Sequence, residues 1–319
     1  MDFRNFKMPF SIDSKYSKKV AYFSMEFALE QVLKIYSGGL GFLAGSHMRS
    51  AYNLNQDLIG IGILWKFGYY DQARNHDQTL QPTWTRKMYS FLEDTGIKFQ
   101  IEIHSAPVWV KVWYLDPEIF NTAPMFFLST DVPENDHISK TICHRLYDAN
   151  ESTKLAQYIL LGKGGAKLLD EMNIDRDVYH LNEAHGLPAA FYLLKKYNGD
   201  IQKVKEKLVF TTHTPEEAGN EKHNLKLCYD MSYFSGLSME EAKKLEGSDG
   251  ELFNHSLCAL KMARIANGVS KLHGEVSRAM WSKYPGICEI KSITNAQEFK
   301  YWGDKELYNS KDEKNDTLF

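Results

Sequence analysis

The chain has 319 residues, of which 43% are hydrophobic, 25% charged and 13% aromatic, which is the composition of an ordinary globular protein of one large or two small domains. Its formal net charge is −3 and no basic stripe stands out, which argues against a nucleic acid as partner. The longest uncharged apolar run, residues 58–65, is too short to cross a bilayer, and the basic first twenty residues lack the apolar core of a signal peptide. We therefore expect a cytoplasmic protein without a membrane partner.

The first half of the chain predicts several strands around one long helix. A helix is expected from the glycine-rich turn at residues 38–41 to about residue 55, because apolar residues recur there at helical spacing. Alternation over residues 98–115 predicts a β-hairpin. Asn150 is expected to cap a helix that reaches Leu168, although three glycines in its middle indicate tight packing. The other strands are expected at residues 20–24, 58–65 and 125–129.

From residue 178 onward, strand and helix patterns alternate, which is typical of a doubly wound sheet. The strands are expected at residues 178–181, 208–210 and 290–293, and the helices at residues 186–197, 253–267 and 273–281. After Trp302 the chain is dense in charge and poor in apolar residues. The sequence therefore predicts an α/β domain over residues 1–302 and a charged linker or tail over residues 303–319.

The four cysteines are far apart in the sequence and include no Cys-x-x-Cys pair, so we expect reduced thiols rather than disulfides or a metal site.

Three polar or glycine-rich segments fall where predicted strands end. Residues 211–215 (Thr-Thr-His-Thr-Pro) follow one buried run, residues 182–186 (Asn-Glu-Ala-His-Gly) follow another, and residues 36–41 (Tyr-Ser-Gly-Gly-Leu-Gly) precede the long helix. In α/β proteins, ligands bind where the carboxyl ends of parallel strands open out. The three segments therefore predict one pocket.

The residue types in these segments indicate how a ligand would be held. Backbone N–H groups of Gly38 and Gly39 at a helix N-terminus suit a phosphate or a sugar hydroxyl, with a plain tight turn as the alternative. Glu183 is expected to orient His185 by accepting its ring proton, with a helix-capping cluster as the alternative. His213 is expected to offer a ligand either its side chain or its backbone carbonyl, with a structural histidine as the alternative. No third strong ligand accompanies Glu183 and His185, so no metal site is predicted.

An aromatic group is suited to stacking on sugar rings, since flat apolar ring faces match the C–H surfaces of pyranoses. At least half of its members are expected to belong to the core instead. The group consists of Trp65, Phe67, Tyr69, Tyr70 and Trp84.

Together these motifs resemble the α-glucan (glycogen and maltodextrin) phosphorylase family, most closely its short bacterial branch. The matching segments, in the family's order, are residues 21–27 (Ala-Tyr-Phe-Ser-Met-Glu-Phe), 36–45, 180–185, 209–220 and 267–277. The resemblance covers about residues 20–302, nearly the whole chain, but only the N-terminal half of the family's architecture.

The resemblance implies a fold and a reaction. The fold is a Rossmann-like N-terminal domain of the B-type glycosyltransferase kind, with a doubly wound, mostly parallel sheet and an added β-hairpin region. The reaction is phosphorolysis with retention, in which an α-1,4-glucan or maltooligosaccharide and phosphate give a shorter glucan and α-glucose 1-phosphate.

The resemblance also implies roles for single residues. The backbone amides of Gly38 and Gly39 are expected near the phosphates and Leu40 near the glucose. The backbone carbonyl of His213 is expected at the glucosyl ring, with Thr214 beside it in the substrate site. Three further residues are expected in the cleft, with Glu183 and His185 on the acceptor side or in the glucose pocket and Glu26 as a lining carboxylate. Lys34, Ser46 and Ala28 depart from the family's usual residues near the glycine turn.

The family's cofactor is pyridoxal phosphate, held by a lysine in the C-terminal domain together with the cations that grip the substrate phosphate. No such motif occurs in this chain, and Lys163 does not match that lysine. We therefore expect no phosphorolysis from the chain alone, and either a separate C-terminal half or a second copy as partner. Two alternatives stay open: a non-catalytic glucan-binding or split-enzyme subunit, and another B-type glycosyltransferase such as a relative of glycogen or starch synthase.

Overall fold

A nine-stranded sheet forms the centre of the structure, a computed structural model that describes residues 2–304 and Glu306. The predicted linker or tail thus falls largely outside the described residues. The strands are β1 (Val20–Phe23), β2 (Leu58–Ile63), β3 (Asp71–Arg74), β4 (Leu80–Thr83), β5 (Glu93–Ile103), β6 (Ala106–Leu115), β7 (Met125–Ser129), β8 (Val178–Asn182), β9 (Leu208–Thr212), β10 (Lys222–Asn224), β11 (Leu252–Asn254), β12 (Ile265–Gly268) and β13 (Glu289–Ser292).

The α-helices lie mainly in the connections between these strands. They are α1 (Gly39–Asn53), α2 (Pro117–Phe120), α3 (His137–Thr141), α4 (Glu151–Ile159), α5 (Gly165–Glu171), α6 (Pro188–Lys196), α7 (Ile201–Lys207), α8 (Leu225–Asp230), α9 (Met239–Glu246), α10 (His255–Met262), α11 (Lys271–Trp281) and α12 (Phe299–Trp302). A π-helical segment, Leu160–Gly164, joins α4 to α5.

The strand order of the main sheet is β13-β12-β9-β8-β1-β2-β7-β6-β5. The seven strands from β13 to β7 are parallel, and the β5–β6 hairpin adds two antiparallel strands at one edge. From β1 the chain proceeds to β2 and β7 on one side, and it then returns to β8 on the other side of β1 and continues to β9, β12 and β13. This reversal places a crevice at the carboxyl ends of β1 and β8, the position at which such sheets bind ligands.

Helices cover both faces of the central strands. Tyr22 of β1 contacts His47 of α1, with ring centroids 4.8 Å apart. The next residue, Phe23, points to the other face and lies so close to Gly165 of α5 that a Cβ there would be 2.6 Å from its ring. Every residue of β1 and β2 is buried, as expected of parallel strands enclosed on both faces. The predicted mostly parallel α/β sheet with an added hairpin is confirmed.

The predicted helix over residues 253–267 is wrong. The helix α10 ends at Met262, Ala263 adopts an extended backbone with φ −85° and ψ 153°, and the next residues form β12. Leu257, Leu260 and Ala263 recur at helical spacing up to the end of α10, and the short stretch that follows does not by itself separate a helix from a strand. Its strand state comes from pairing with β9 and β13, which no local pattern reveals.

The helix predicted from Asn150 is confirmed at its cap and interrupted in its middle. The Asn150 side chain accepts the N–H of Thr153 at 3.0 Å. The π-helical segment then brings Gly162 against the loop after β8, where a Cβ would be 2.5 Å from the Gly186 carbonyl oxygen. The predicted tight packing is confirmed, with Gly162 against backbone atoms and Gly164 and Gly165 against side chains.

No helix in the described part of the chain has the length and apolar character needed to span a membrane. The four cysteines are free thiols, with Cys288 half-buried and the other three buried.

Candidate active site

A pocket of about 300 Å³ opens at the carboxyl ends of β8 and β9. Five of the predicted site residues line it together: Leu40, Glu183, His185, His213 and Thr214. The rest of the lining consists of Tyr147, Tyr158, Ala184, Gly219, Asn220, Glu221, His255 and Ser256. The three segments singled out in the sequence thus contribute to one pocket.

A larger cavity, about 560 Å³, lies beside α1 on one face of the sheet. None of the site residues predicted from the sequence is among the described residues that line it. His180 is already bonded to Thr211, with 2.7 Å between the ring Nε2 and the hydroxyl oxygen. We therefore place the candidate site in the smaller pocket.

Glu183 joins the ends of two neighbouring strands. Its backbone has φ 66° and ψ 171°, a region that residues other than glycine rarely adopt. Its carboxylate accepts the backbone N–H of His213 and, at 3.3 Å, the hydroxyl of Thr214. Burial raises the pKa of Glu183 to about 7, although the hydrogen bonds from His213 and Thr214 oppose this rise.

The predicted orientation of His185 by Glu183 is wrong, because the Glu183 carboxylate is bonded to His213 and Thr214 instead. Among the described residues, the buried Nδ1 of His185 has no hydrogen-bond partner. The imidazole lies between two tyrosines, with centroid distances of 5.0 Å to Tyr158 and 6.0 Å to Tyr147. Burial lowers the pKa of His185, so the neutral ring offers this nitrogen to a hydroxyl group of a ligand.

The side chain of His213 is engaged in a chain of hydrogen bonds that connects three strand ends. Its Nε2 lies 2.7 Å from Asn182 Oδ1, which can only accept, so Nε2 carries the ring proton. The Asn182 amide donates to the Ser24 hydroxyl at 3.1 Å, and Ser24 donates to the Glu26 carbonyl at 2.8 Å. Burial lowers the pKa of His213 to about 4. The Nε2 atom is therefore engaged within the protein, which leaves the ring Nδ1 and the backbone carbonyl as the groups that His213 can offer to a ligand.

Glu26 is placed differently from the expectation of a lining carboxylate. Its Oε2 accepts the backbone N–H groups of Ser37 at 2.6 Å and Gly38 at 3.1 Å. Its Oε1 accepts the Tyr147 hydroxyl at 2.7 Å. A Cβ on Gly41 would come within 2.7 Å of the carboxylate, so the glycine at that position makes room for it. Glu26 thus closes the glycine turn behind the pocket wall and does not line the pocket.

The glycine turn therefore offers fewer free amides than the sequence implied. The Gly38 N–H is taken by Glu26, whereas Gly39 begins α1, whose first-turn amides have no acceptor within the helix. Neither glycine lines the pocket, although the next residue, Leu40, does. Only the start of α1 is available to a ligand that reaches past Leu40.

The back wall contains functional groups that the sequence reasoning missed. The Tyr158 hydroxyl donates to the Glu221 carboxylate, and Lys154 Nζ lies 3.0 Å from its other oxygen. Burial would raise the pKa of Glu221, but His185, the Tyr158 hydroxyl and Lys154 outweigh it and hold this pKa well below its usual range. Glu221 directly follows one of the quoted motifs, but nothing in the helical pattern around Tyr158 marks that residue.

The charges of the pocket favour a neutral, hydroxyl-rich ligand. Its described lining includes the carboxyl groups of Glu183 and Glu221 and three histidines whose pKa values burial lowers, but no lysine or arginine. Hydroxyl groups can both donate to carboxylates and accept from N–H groups. A phosphate dianion, by contrast, requires cations or several free amides.

The described lining of this pocket does not fit a site for pyridoxal phosphate. The pocket lining includes no lysine within the described chain. Lys163 has a pKa that burial lowers to about 8, but its Nζ donates to the Glu102 carbonyl at 3.1 Å, at the β5 edge of the sheet. The part of the chain that the structure describes also contains no group of three or more residues able to hold a metal ion.

Comparison with known proteins identifies several relatives. An uncharacterized protein of Methanocaldococcus jannaschii is 47% identical over 90% of this chain and 54% of its own length. Maltodextrin phosphorylase of Thermococcus litoralis is 32% identical over 92% of this chain and 37% of its own length. Glycogen phosphorylase of Aquifex aeolicus is 30% identical over 91% of this chain and 45% of its own length.

The chain therefore spans about half of the first of these relatives and between 37% and 45% of the two phosphorylases. No protein-family profile matches it. The similarity extends over almost all of the chain and confirms the resemblance carried by the motifs. Over almost all of its length the chain is similar to glycogen and maltodextrin phosphorylases, and it corresponds to between 37% and 45% of their own length.

Proposed function

We propose that this chain forms the glucan-binding wall of an α-glucan phosphorylase, as the Rossmann-like N-terminal half of a B-type glycosyltransferase fold. Two features support the proposal: the similarity to named phosphorylases, and a strand-end pocket that lies beside the reversal of strand order. The observation that carries it is the pocket's content of hydroxyl-binding groups, of which the unpartnered His185 Nδ1 is the most direct.

In this proposal the predicted residues that line the pocket or adjoin it have defined tasks. The His213 carbonyl accepts a hydroxyl of the glucosyl unit, and His185 accepts another through Nδ1. Glu183 holds the His213 backbone and the Thr214 hydroxyl in place, which makes it a positioning residue. Gly39 and Leu40 at the start of α1 approach the anionic end of the substrate, where helix amides favour negative charge.

The same pocket explains why we expect no reaction from this chain alone. Phosphorolysis brings the negative charge of phosphate into the site, and cations aimed at that charge usually supply a large stabilisation. The described lining contains no such cation. We therefore assign the phosphate-gripping cations, and the pyridoxal phosphate that the family implies, to a C-terminal half supplied by another domain or chain in the cytoplasm.

A glucan-binding subunit without catalysis is the second candidate function, and the same absence of cations in the described lining favours it. The relatives that carry a functional name are phosphorylases, so a synthase-like enzyme gains no support.

The test combines a reaction assay with a binding assay on the purified chain. Glucose 1-phosphate release from maltoheptaose and phosphate is measured with and without pyridoxal phosphate, and maltoheptaose binding is measured by calorimetry. We expect no product and measurable binding. His185→Phe should weaken binding by about tenfold, because it removes a hydrogen-bond acceptor and keeps the ring contacts.

Tyr229→Ala is a matched control, because Tyr229 is an exposed tyrosine on α8 outside the pocket, and it should bind as the wild type does. Cofactor-dependent product would place the catalytic lysine within this chain and refute our division of the site. Absence of glucan binding would refute the proposed function.

A further inference from the structure

Three exposed aromatic side chains lie together at the base of the β3–β4 hairpin, outside the pocket described above. The exposed fractions are 39% for Tyr69, 41% for Tyr70 and 40% for Trp84. The rings of the two tyrosines are 4.6 Å apart. Asp71 pairs with Thr83 at the end of the β3–β4 ladder, and Tyr70 and Trp84 are the residues next to this pair in the chain. We call these three residues the aromatic platform.

The sequence predicted a wider aromatic group, which the structure divides. Trp65 is fully buried and donates its indole N–H to the Met25 carbonyl at 3.0 Å, and Phe67 is half-buried with its ring 5.1 Å from that of His144. The expectation that at least half of the group belongs to the core is wrong, because only Trp65 is buried. The remaining three rings are the ones available to a ligand.

Trp84 is held in a fixed plane by Arg145. The guanidinium carbon lies 4.1 Å from the centroid of the indole ring, so a cation–π contact covers one face. The indole keeps 40% of its surface exposed in this arrangement. A rigid aromatic ring with exposed surface binds a flat apolar ligand face at a small cost in conformational entropy.

Backbone hydrogen bonds connect the segment that precedes Tyr69 to the segment that precedes Tyr147. The Leu146 N–H donates to the Gly68 carbonyl at 3.0 Å, and the Phe67 N–H donates to the His144 carbonyl at 2.9 Å. Tyr69 follows Gly68 in the chain, and Tyr147 follows Leu146 and lines the pocket. Since consecutive Cα atoms are about 3.8 Å apart, Tyr69 and Tyr147 flank the same hydrogen-bonded pair.

We propose that the aromatic platform binds pyranose rings of the α-glucan chain beyond those held in the pocket, and so determines a preference for longer glucans. This inference rests on the proposed function, because it extends the same site. The C–H faces of pyranoses are flat and apolar, and the platform presents the matching aromatic surface beside the pocket. An exposed apolar cluster of this kind otherwise marks a protein-binding surface, which the test must distinguish.

The test compares long and short glucans on single variants of the full chain. Trp84→Ala and Tyr70→Ala should each weaken maltoheptaose binding by about fivefold and leave maltotriose binding unchanged, since only the longer chain reaches the platform. Trp84→Phe should restore most of the affinity for maltoheptaose. Tyr229→Ala, which removes an equally exposed tyrosine elsewhere, should change neither.

The outcomes separate the platform from the pocket. If Trp84→Ala and Tyr70→Ala bind maltoheptaose as the wild type does while His185→Phe weakens it, the platform has no role and the pocket keeps its function. An equal loss of both glucans in Trp84→Ala would mean disturbed folding or pocket geometry and would also overturn the proposal. If the wild type binds neither glucan, the proposed function and this extension both fail.

Discussion

The backbone of Glu183 illustrates how much of this site is determined residue by residue. Sequence patterns placed Glu183, His185 and His213 at strand ends, and the structure brings them to one pocket. The sequence patterns did not predict that the Glu183 carboxylate accepts a hydrogen bond from the His213 amide and not from the His185 ring. This hydrogen bond follows from the positive φ of Glu183 and from the register between β8 and β9. No local sequence pattern predicts either feature.

Glu183→Gln should remove a pH dependence from the stability of the fold. The pKa of the Glu183 carboxyl rises from 4.5 to about 7 on folding, so the folded state prefers the protonated form. This contribution to stability is fully present below pH 4.5 and is lost as the pH rises through 7. A glutamine keeps an oxygen for the His213 N–H and does not titrate.

Urea denaturation at pH 5 and at pH 8 tests this. Between these values the wild type should lose roughly 2–3 kcal/mol more of its free energy of unfolding than Glu183→Gln does. Parallel curves for the two proteins would show that the carboxyl is already ionised at pH 5.

At the scale of elements, the glycines of α1 differ in their surroundings, since one is in close contact with another segment and one faces open space. A Cβ on Gly45 would come within 2.0 Å of the Ala28 carbonyl oxygen, so this glycine lets the helix approach the loop after β1. A Cβ on Gly39 would meet nothing within 4 Å. The sequence marked this segment as one glycine cluster, and only the packing separates the structural glycine from the open one.

These two glycines form a matched pair for mutation. Gly45→Ala should lower the free energy of unfolding by at least about 1–3 kcal/mol, because backbone must move to accommodate the methyl group. Gly39→Ala should be neutral or stabilise the fold by up to about 1 kcal/mol through the unfolded state. Thermal denaturation of both variants measures the difference, and equal melting temperatures would contradict the assigned packing role of Gly45.

For the whole molecule, the end of the described chain is attached to the helix of the glycine turn. Arg49 of α1 lies 3.7 Å from the centroid of the Tyr301 ring, and its guanidinium donates to the carbonyls of Leu29 and Phe120. The Tyr301 hydroxyl donates to Glu30 at 2.9 Å. Tyr301 is 252 or more positions away in the sequence from both of these partners, Arg49 and Glu30. A short motif cannot predict contacts over such a separation, so the sequence predicted only a linker nearby.

Tyr301→Leu should release α12 without unfolding the sheet. Loss of the stacked guanidinium contact should accelerate hydrogen exchange at Gly303, whose N–H donates to the Phe299 carbonyl, by about threefold to tenfold. Tyr301→Phe keeps the stacking and should exchange nearly as the wild type does. Exchange in β12 serves as the internal reference, and acceleration there as well would indicate global destabilisation rather than local release.

The fold was predictable where local pattern and tertiary context agree, as in β1, β2, β7 and the β5–β6 hairpin. It was not predictable at the boundary between α10 and β12, because helical spacing reaches that boundary and the short stretch after it fits either state until its neighbours are known. The candidate site followed the same rule. Its motif residues were found, whereas Tyr158 and the Ser24–Asn182 link were missed because each acts through a distant partner.

The left-handed backbone of Glu183 has a consequence for anyone who redesigns this protein. Glycine would relieve a strain of about 1–3 kcal/mol at this position, so a search guided by stability alone would favour Glu183→Gly. That change would also delete the carboxylate that ties β8 to the His213 loop. A substitution that relieves backbone strain at this position is thus one that a functional selection should reject.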